Sequence, residues 1–391
     1  MHILELPSFF PPYGGLFCLD QSRALNTGDN TVRILANVNL SARLSPQLYF
    51  RGERSPFFMR MQGVEVMKHY MRGIPFFTRA NAMWWLRSTE RLVEKYMAKY
   101  GKPDIIHAHC CQWAGCAAFR VWRKHGIPYV ITEHLSSELI LKEYTTDTGK
   151  AWQIPYVEEA YRNAALVIPV SGELVDDLKM IYRWNCKWKV VSNIVDTAFF
   201  GYRKRQPLTP RRPLRLCCIA NFVVGKGYDV MFEAVRKYLD TTGDKVEIVV
   251  AGRFTDSDRA RRLVENLGLE DVVTLRGEVD KHEVLRILHE SDCMLLATRK
   301  ESQGLALLEA MATGMPVITT DSVPECVRIE GGCITVPTDD SGAMARAIAL
   351  IRRESLNDCP QASRRVAETT SPQVIGKQLN DLFLDIVKGR K

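Results

Sequence analysis

Short apolar runs alternating with helix-patterned stretches constrain this chain more than any single residue does. In the first half the runs fall at 3–6, 32–38, 104–109, 129–132, 166–170 and 190–192. Each is of strand length, and the intervening segments repeat apolar residues at helical spacing. In 82–100, for example, Met83, Leu86, Leu92, Val93, Tyr96 and Met97 recur at such spacing before Gly101 and Pro103 stop the pattern. Apolar strands separated by helices imply a parallel, doubly wound sheet. A proline-rich basic run at 203–213 interrupts the alternation and reads as an exposed linker. The pattern then restarts, with strands expected at 214–220, 246–251, 272–276, 293–297, 317–320 and 333–336. The expected fold class is α/β, with two Rossmann-like domains, 1–202 and 214–371, facing across a cleft. A final helical stretch, 372–391, has no packing partner that the sequence identifies.

A length of 391 residues suits two domains of ordinary size. No apolar run reaches the ~18 residues that span a bilayer. The first residues lack the basic and long apolar regions of a signal peptide, so a cytoplasmic protein is expected. The eleven cysteines occur largely in apolar runs and read as buried free thiols. The formal charge of +8 is uneven: residues 51–100 hold ten Lys or Arg against four Asp or Glu. Such patches attract an anionic partner. The segment 54–73 mixes basic residues with Phe and Met. It reads either as an amphipathic element for an anionic membrane surface, with Arg60, Lys68 and Arg72 as its charges, or as an ordinary helix packed on the sheet.

Chemistry concentrates at the ends of expected strands. Glu301 and Glu309 lie eight residues apart around Gly304, which can open a helix after the strand 293–297. Two carboxylates placed so can both face one ligand, accepting hydrogen bonds from hydroxyls. The N–H groups of Gly304 and Leu305 offer an anion site at the helix start. Lys226 stands between two glycines after the strand 214–220, within reach of a phosphate, although the P-loop pattern is missing. A ligand carrying both phosphates and many hydroxyls is a nucleotide sugar. Gly14 and Gly15 follow the first strand and permit close backbone approach. His134 ends the strand Ile131-Thr-Glu-His134 and is the better histidine for a reacting centre. His107, His109, Cys110, Cys111 and Cys116 suggest metal ligands by type, but a strand sends alternate side chains to one face, and adjacent Cys110 and Cys111 cannot both converge with the histidines easily. No metal site is assigned.

Taken in order, these residues resemble the GT-B glycosyltransferases of family 4. The resemblance rests on Gly14-Gly15, His107-Ala-His109, the 127–134 run ending Thr-Glu-His134, Ser192-Asn-Ile-Val-Asp196, Lys226-Gly227 and Glu301 through Glu309. It implies a donor site of Gly14, Gly15, Asn221, Lys226, Arg253, Glu301, Ser302, Gly304, Leu305 and Glu309. In that site Glu301 meets the donor sugar, Glu309 the ribose, and Lys226 the diphosphate, while His134 lies near the transferred sugar. His134, Glu301 and Lys226 are the residues expected to carry catalysis. Two positions depart from the family pattern. Asn221 stands where an arginine is common, and Gly252-Arg-Phe254 replaces Gly-x-Gly.

The resemblance implies retaining transfer from a UDP- or GDP-sugar to a glycan or lipid-linked acceptor, in bacterial surface polysaccharide or lipopolysaccharide synthesis. A metal-independent enzyme without cofactor is expected, with peripheral contact to the inner face of the plasma membrane. The alternatives are a GT-B nucleotide-sugar epimerase and a nonenzymatic nucleic-acid-binding protein. The second leaves the acidic pair without a role, so no nucleic-acid partner is expected.

Overall fold

A computed structural model of the chain describes every residue except 15, 136–150, 184, 210–211 and 390–391. The chain divides into two compact units, Met1–Ile194 with Pro372–Lys391, and Val195–Ser371.

The first unit is built on strands β1 (His2–Pro7), β2 (Thr31–Leu40), β3 (Phe57–Met61), β4 (Val64–Arg72), β5 (Ile105–His109), β6 (Tyr129–Glu133) and β7 (Leu166–Pro169). Their order is β3-β4-β2-β1-β5-β6-β7, parallel except that β3 runs antiparallel to β4. The second unit holds β8 (Leu214–Ile219), β9 (Val246–Ala251), β10 (Val273–Leu275), β11 (Cys293–Leu296), β12 (Val317–Thr320) and β13 (Cys333–Val336). Its order is β10-β9-β8-β11-β12-β13, parallel throughout. Both sheets are the doubly wound kind that the alternation implies. Strand order reverses between β1 and β5 in one unit and between β8 and β11 in the other. Open α/β sheets bind ligands beyond the carboxyl ends of strands at such points.

Several expectations give way to packing. The segment 54–73 is not a helix. It forms the hairpin β3–β4, turned by Gln62 and Gly63 at φ of 45° and 86°. Positive φ at both central residues suits the right-handed twist of paired strands. Lys68 is buried with its ammonium over the rings of Tyr70 and Phe10, 5.1 and 5.7 Å from their centroids. Arg72 donates to the carbonyls of Tyr49 (2.7 Å), Gly52 (2.6 Å) and Tyr70 (3.1 Å). Of the three charges assigned to a membrane element, only Arg60 is exposed. The run 190–192 forms no strand, and the pairing nearby is a single bridge between Val167 and Trp188.

The division between units also falls earlier than expected, after Ile194. The run 203–213 is docked onto the second unit rather than free. Its Leu208 is buried. Arg205 donates to Thr313 Oγ1 at 2.9 Å, Arg212 to Asp292 at 2.7 Å, and the Arg203 N–H to the Thr313 carbonyl at 3.1 Å. Helix Pro372–Lys388, left unassigned by the sequence, packs on the first unit. Ile375, Leu379 and Phe383 are fully buried there with Ile3, Val130 and Ile168. Gly376 permits the approach, because a Cβ would come within 2.7 Å of the Ala24 carbonyl oxygen. All eleven cysteines are free and most are buried. Among the described residues no helix is long and apolar enough to cross a membrane.

Candidate functional site

In the second unit, the loops that leave β8 and β11 meet at the point where strand order reverses. Gly227 makes the meeting possible: it sits at φ 62°, and a Cβ there would lie 1.9 Å from the Ala297 carbonyl oxygen. The Arg299 N–H donates to the Gly225 carbonyl at 2.7 Å, and Thr298 Oγ1 donates to the same oxygen at 3.1 Å. The Arg299 guanidinium then reaches the Val224 carbonyl (2.7 Å), Asp229 (2.8 Å) and Asp339 (2.7 Å). Held from both sides, Lys226 Nζ contacts Glu301 Oε1, with both side chains largely shielded from solvent.

This ion pair lines a pocket of about 350 Å³ together with Asn221, Arg253, Glu278, Gly304 and Leu305. Gly304, at φ 85°, caps helix Leu305–Ala312. The first N–H groups of a helix have no carbonyl partner within it and carry the positive end of its dipole. The pocket therefore combines a lysine, an arginine and a helix start with two carboxylates. Of the residues expected in a donor site, Asn221, Lys226, Arg253, Glu301, Gly304 and Leu305 share this pocket, while Ser302 and Glu309 do not line it. Glu309 sits half-buried one turn beyond Leu305 on the same helix face.

The two departures from the family pattern are next to each other in space. The Arg253 N–H donates to Asn221 Oδ1 at 3.1 Å, and the Phe222 N–H donates to the Arg253 carbonyl at 2.8 Å. The Arg253 side chain pairs with Glu278 at 2.8 Å. Gly252 is required at φ 145°, since a Cβ would meet the Ala220 oxygen at 2.1 Å. Phe254 then adopts φ 66°, with its ring exposed. That left-handed conformation is strained for a residue with a Cβ, and glycine would adopt it freely.

In the first unit, Gly14 lies at φ 89° in the loop between β1 and helix Leu16–Leu25, and Gly15 lies outside the described residues. His134 follows β6 and stacks on Phe17, ring centroids 3.9 Å apart. Its Nε2 is 3.2 Å from Nδ1 of His109, whose Nε2 is 2.6 Å from Glu5 Oε2. Glu5, His107 and His109 are fully buried. Register explains the grouping: Glu5 pairs with His107 across β1 and β5, and His109 with Thr132 across β5 and β6. Burial drives the Glu5 carboxyl upward, but its attraction to His107 and His109 outweighs that and holds its pKa at about 2. Burial pulls His109 down to about 4, helped by His107 and opposed by Glu5. Burial and the neighbouring histidines take His134 well below the usual histidine range. Glu133 fixes the backbone here, accepting from the N–H groups of Cys111 (3.0 Å), His134 (3.0 Å) and Leu135 (3.1 Å) and from Tyr161 Oη (2.7 Å). The sequence reading missed Glu5. Its signal is a carboxylate in the middle of the apolar strand Ile3-Leu-Glu-Leu6.

A second pocket, of about 400 Å³, opens in the first unit beside the carboxyl ends of β1, β2 and β5. Its lining includes Ser8, Tyr13, Asn39, Gln112, Trp113 and Gln153. Gln112 and Trp113 follow Cys110, which itself sits at φ 66°.

Two sets of residues bear on metal. Donor atoms of Glu5, His107 and His109 cluster as ligands do. Their separations from Glu5 Oε2, 2.6 Å for His109 and 2.9 Å for His107, are instead hydrogen-bond lengths. Ligands on one tetrahedral zinc ion sit about 3.3 Å apart for bonds near 2.05 Å. The sequence also contains the Asp-x-Asp triplet Asp256-Ser-Asp258, a pattern that the expectation of metal independence overlooked. Asp258 opens helix Asp258–Asn266 and pairs with Arg261 at 2.9 Å, and neither aspartate lines the Lys226 pocket.

Comparison with known proteins identifies the fold and family. The model "Glycosyltransferase Family 4" matches residues 20–199, and "Glycosyl transferases group 1" matches 203–368. The chain belongs to the family 4, group 1 glycosyltransferases. A putative colanic acid biosynthesis glycosyltransferase, WcaL of Salmonella typhimurium, is 30% identical over 67% of this chain and 63% of its own length. The match thus spans less than two thirds of that relative. Sucrose-phosphate synthase from Thermosynechococcus elongatus superposes with a TM-score of 0.78 at 17% identity, covering 100% of both chains. HepE of Anabaena, in complex with UDP-glucose, gives a TM-score of 0.71 at 15% identity over 98% of this chain and 100% of its own. The fold is GT-B.

The strained position beside the pocket yields a direct test. Phe254→Gly relieves a conformation that costs roughly 1 to 2 kcal/mol for a residue with a Cβ, offset in part by the entropy of an added glycine. Urea unfolding followed by circular dichroism should show an unchanged or raised midpoint. A clear loss of stability would mean that the exposed ring makes contacts worth more than the strain.

Proposed function

We propose that this chain is a retaining, metal-independent glycosyltransferase that moves a sugar from a UDP- or GDP-sugar to a hydroxyl of a glycan or lipid-linked acceptor in bacterial surface polysaccharide synthesis. The observation that carries the reading is the contact of Lys226 with Glu301 beside the start of helix Leu305–Ala312. A ligand that engages either side chain meets both, so it must offer anionic oxygens and hydroxyls within one small volume. A nucleotide sugar does so at its diphosphate and its sugar ring. The UDP-glucose complex of HepE supports a donor of this class.

Breaking the bond between sugar and diphosphate develops negative charge on the leaving oxygens and positive charge on the ring. Lys226 and the helix start stabilise the first where it forms, a contribution of roughly 2.7 to 4 kcal/mol for each such donor. Glu301 holds ring hydroxyls. We assign front-face transfer, in which a phosphate oxygen takes the acceptor proton; the second carboxylate of the pocket, Glu278, is paired with the Arg253 guanidinium at 2.8 Å. The acceptor occupies the first-unit pocket, whose aromatic rings suit the faces of a sugar and whose amides suit its hydroxyls.

Membrane contact, in this reading, falls to the loop after β4 rather than to the hairpin. Ile74, Phe76 and Phe77 are exposed there, with Leu44, Phe50 and Trp84 exposed elsewhere in the same unit. Asn81 holds the loop shape, accepting from the Ile74 N–H at 2.9 Å and donating to its carbonyl at 2.6 Å. Apolar side chains presented beside exposed arginines suit an anionic lipid surface.

Three outcomes test these statements. Lys226→Ala or Glu301→Ala should lower turnover of the accepted nucleotide sugar about 100- to 1,000-fold with an unchanged circular dichroism spectrum. Near wild-type turnover sinks the assignment, and isomerised donor without acceptor would make the protein an epimerase. Excess EDTA should leave turnover undiminished. A strict Mg²⁺ or Mn²⁺ requirement refutes metal independence and directs attention to Asp256 and Asp258. In flotation with anionic phosphatidylglycerol liposomes, the double variant Phe76→Ser, Phe77→Ser should lose most of the bound fraction. Retained binding shows that this loop is not the contact.

A further inference from the structure

We infer that the unit of the acceptor seated in the first-unit pocket is an uncharged pyranose, and that Gln112 and Gln153 together read two neighbouring hydroxyls on it. The inference rests on the reading that this pocket receives the acceptor. It narrows the acceptor class, excluding a uronic acid, a phosphorylated sugar or a sugar with a free amine at that position.

Among the described residues, none that lines the pocket carries a charge. The cations nearest in the fold are spent elsewhere: the Arg79 guanidinium lies over the Trp152 ring at 5.6 Å from its centroid, and the Lys68 ammonium lies against Phe10 and Tyr70. Neither side chain lines the pocket. A carboxylate or phosphate entering it loses water and gains no cation, which is costly. An uncharged ring loses less, and its apolar face can rest on Trp113, whose indole is backed by Trp152 with ring centroids 5.7 Å apart and planes 16° from parallel.

Most polar groups of the lining are already engaged. Ser8 Oγ donates to the Cys110 carbonyl at 3.2 Å and accepts from the Ala114 N–H at 3.0 Å. Trp85 Nε1 donates to the Asn37 carbonyl at 2.7 Å, and Asn81 holds the loop after β4. The glutamines differ. Gln112 Nε2 donates to Gln153 Oε1, which leaves the Gln112 oxygen and the Gln153 amide nitrogen without a side-chain partner among the described residues. Turning both amides over gives the same result, one free acceptor beside one free donor. Gln153 is only 3% exposed, so a ligand, rather than bulk water, is its natural partner. An acceptor next to a donor matches two adjacent hydroxyls, since each hydroxyl can give one hydrogen bond and take another.

The test uses the full chain and saturation-transfer NMR titrations with methyl glycosides: neutral gluco-, galacto- and mannopyranosides, the matching uronides and 6-phosphates, and the uronide methyl esters. At least one neutral glycoside should bind. Its uronide and 6-phosphate should bind about tenfold more weakly or not at all, and the methyl ester, which removes only the charge, should recover the loss. Gln112→Leu and Gln153→Leu should each weaken the neutral glycoside roughly three- to tenfold with an unchanged circular dichroism spectrum, while Glu301→Ala should bind it as the wild type does. Should the buried Gln153→Leu fail to fold, the half-buried Gln112→Leu carries the same prediction. A deoxy glycoside lacking one of the two hydroxyls should lose little more in these variants, because the interaction is already gone. Equal or tighter binding of a uronide or 6-phosphate overturns the inference, as does binding of no neutral glycoside or an unchanged affinity in the folded glutamine variants. The titrations need no turnover. Glycosides bound through the glutamines without any sugar transfer refute the proposed function and leave this subsite standing, whereas transfer to an anionic unit refutes the subsite and leaves the function.

Discussion

The carbonyl of Gly225 accepts two hydrogen bonds, from the Arg299 N–H and from Thr298 Oγ1, and the second unit's pocket depends on them. They join the loop after β8 to the loop after β11 across the reversal in strand order. Without that join Lys226 and Glu301 belong to separate flexible connections, and the entropy of bringing them together has to be met by each ligand. With it, the cost is met during folding. Thr298 is fixed in turn, because Thr320 Oγ1 and Ser322 Oγ donate to its carbonyl at 2.5 and 2.7 Å. The pocket thus inherits its rigidity from three successive strand ends, β8, β11 and β12. This is what a preorganised site requires, since donors already in place need no rearrangement as charge develops.

Much of this was legible in the sequence because it depends on local signals. Strand-length apolar runs located eleven of the thirteen strands among the described residues, and glycines next to Lys226 and Leu305 marked the loops that open helices. The hairpin β3–β4 was missed although its Gln62-Gly63 turn is a local signal. Basic and aromatic residues over 54–73 suggested a surface element, and only tertiary contacts turn Lys68 inward under aromatic rings. The run 203–213 misled for the same reason. Arginines and prolines look like solvated linker until Asp292 and Thr313, distant in sequence, supply partners. Helix Pro372–Lys388 could not be placed because its apolar face has the same pattern whichever unit it covers.

The site was harder to read than the fold. The acidic pair, the lysine and the glycines declared a phosphate-and-hydroxyl ligand, but their contact with each other is a property of the folded loops. Arg253 shows how a departure from the family pattern is absorbed. Its backbone, rather than its charge, is what Asn221 holds, and its guanidinium turns to Glu278. The charge that an arginine would bring at position 221 is therefore not simply moved to 253. Lys226 and the helix start carry the diphosphate in this reading, with the strain at Phe254 as the local consequence of a missing glycine.

Glu5 illustrates the opposite kind of legibility. A carboxylate within an apolar strand is visible in the sequence, yet its meaning appears only when register sets it against His107 and within reach of His109. Burying a carboxylate is costly unless donors surround it. Here His109 shares a hydrogen bond with Oε2 and His107 lies against the same oxygen, and attraction to the two rings outweighs the cost of burial. The buried charge is thus more than a packing feature. It anchors a row of buried rings that runs from the middle of β1 through His109 to His134 and Phe17.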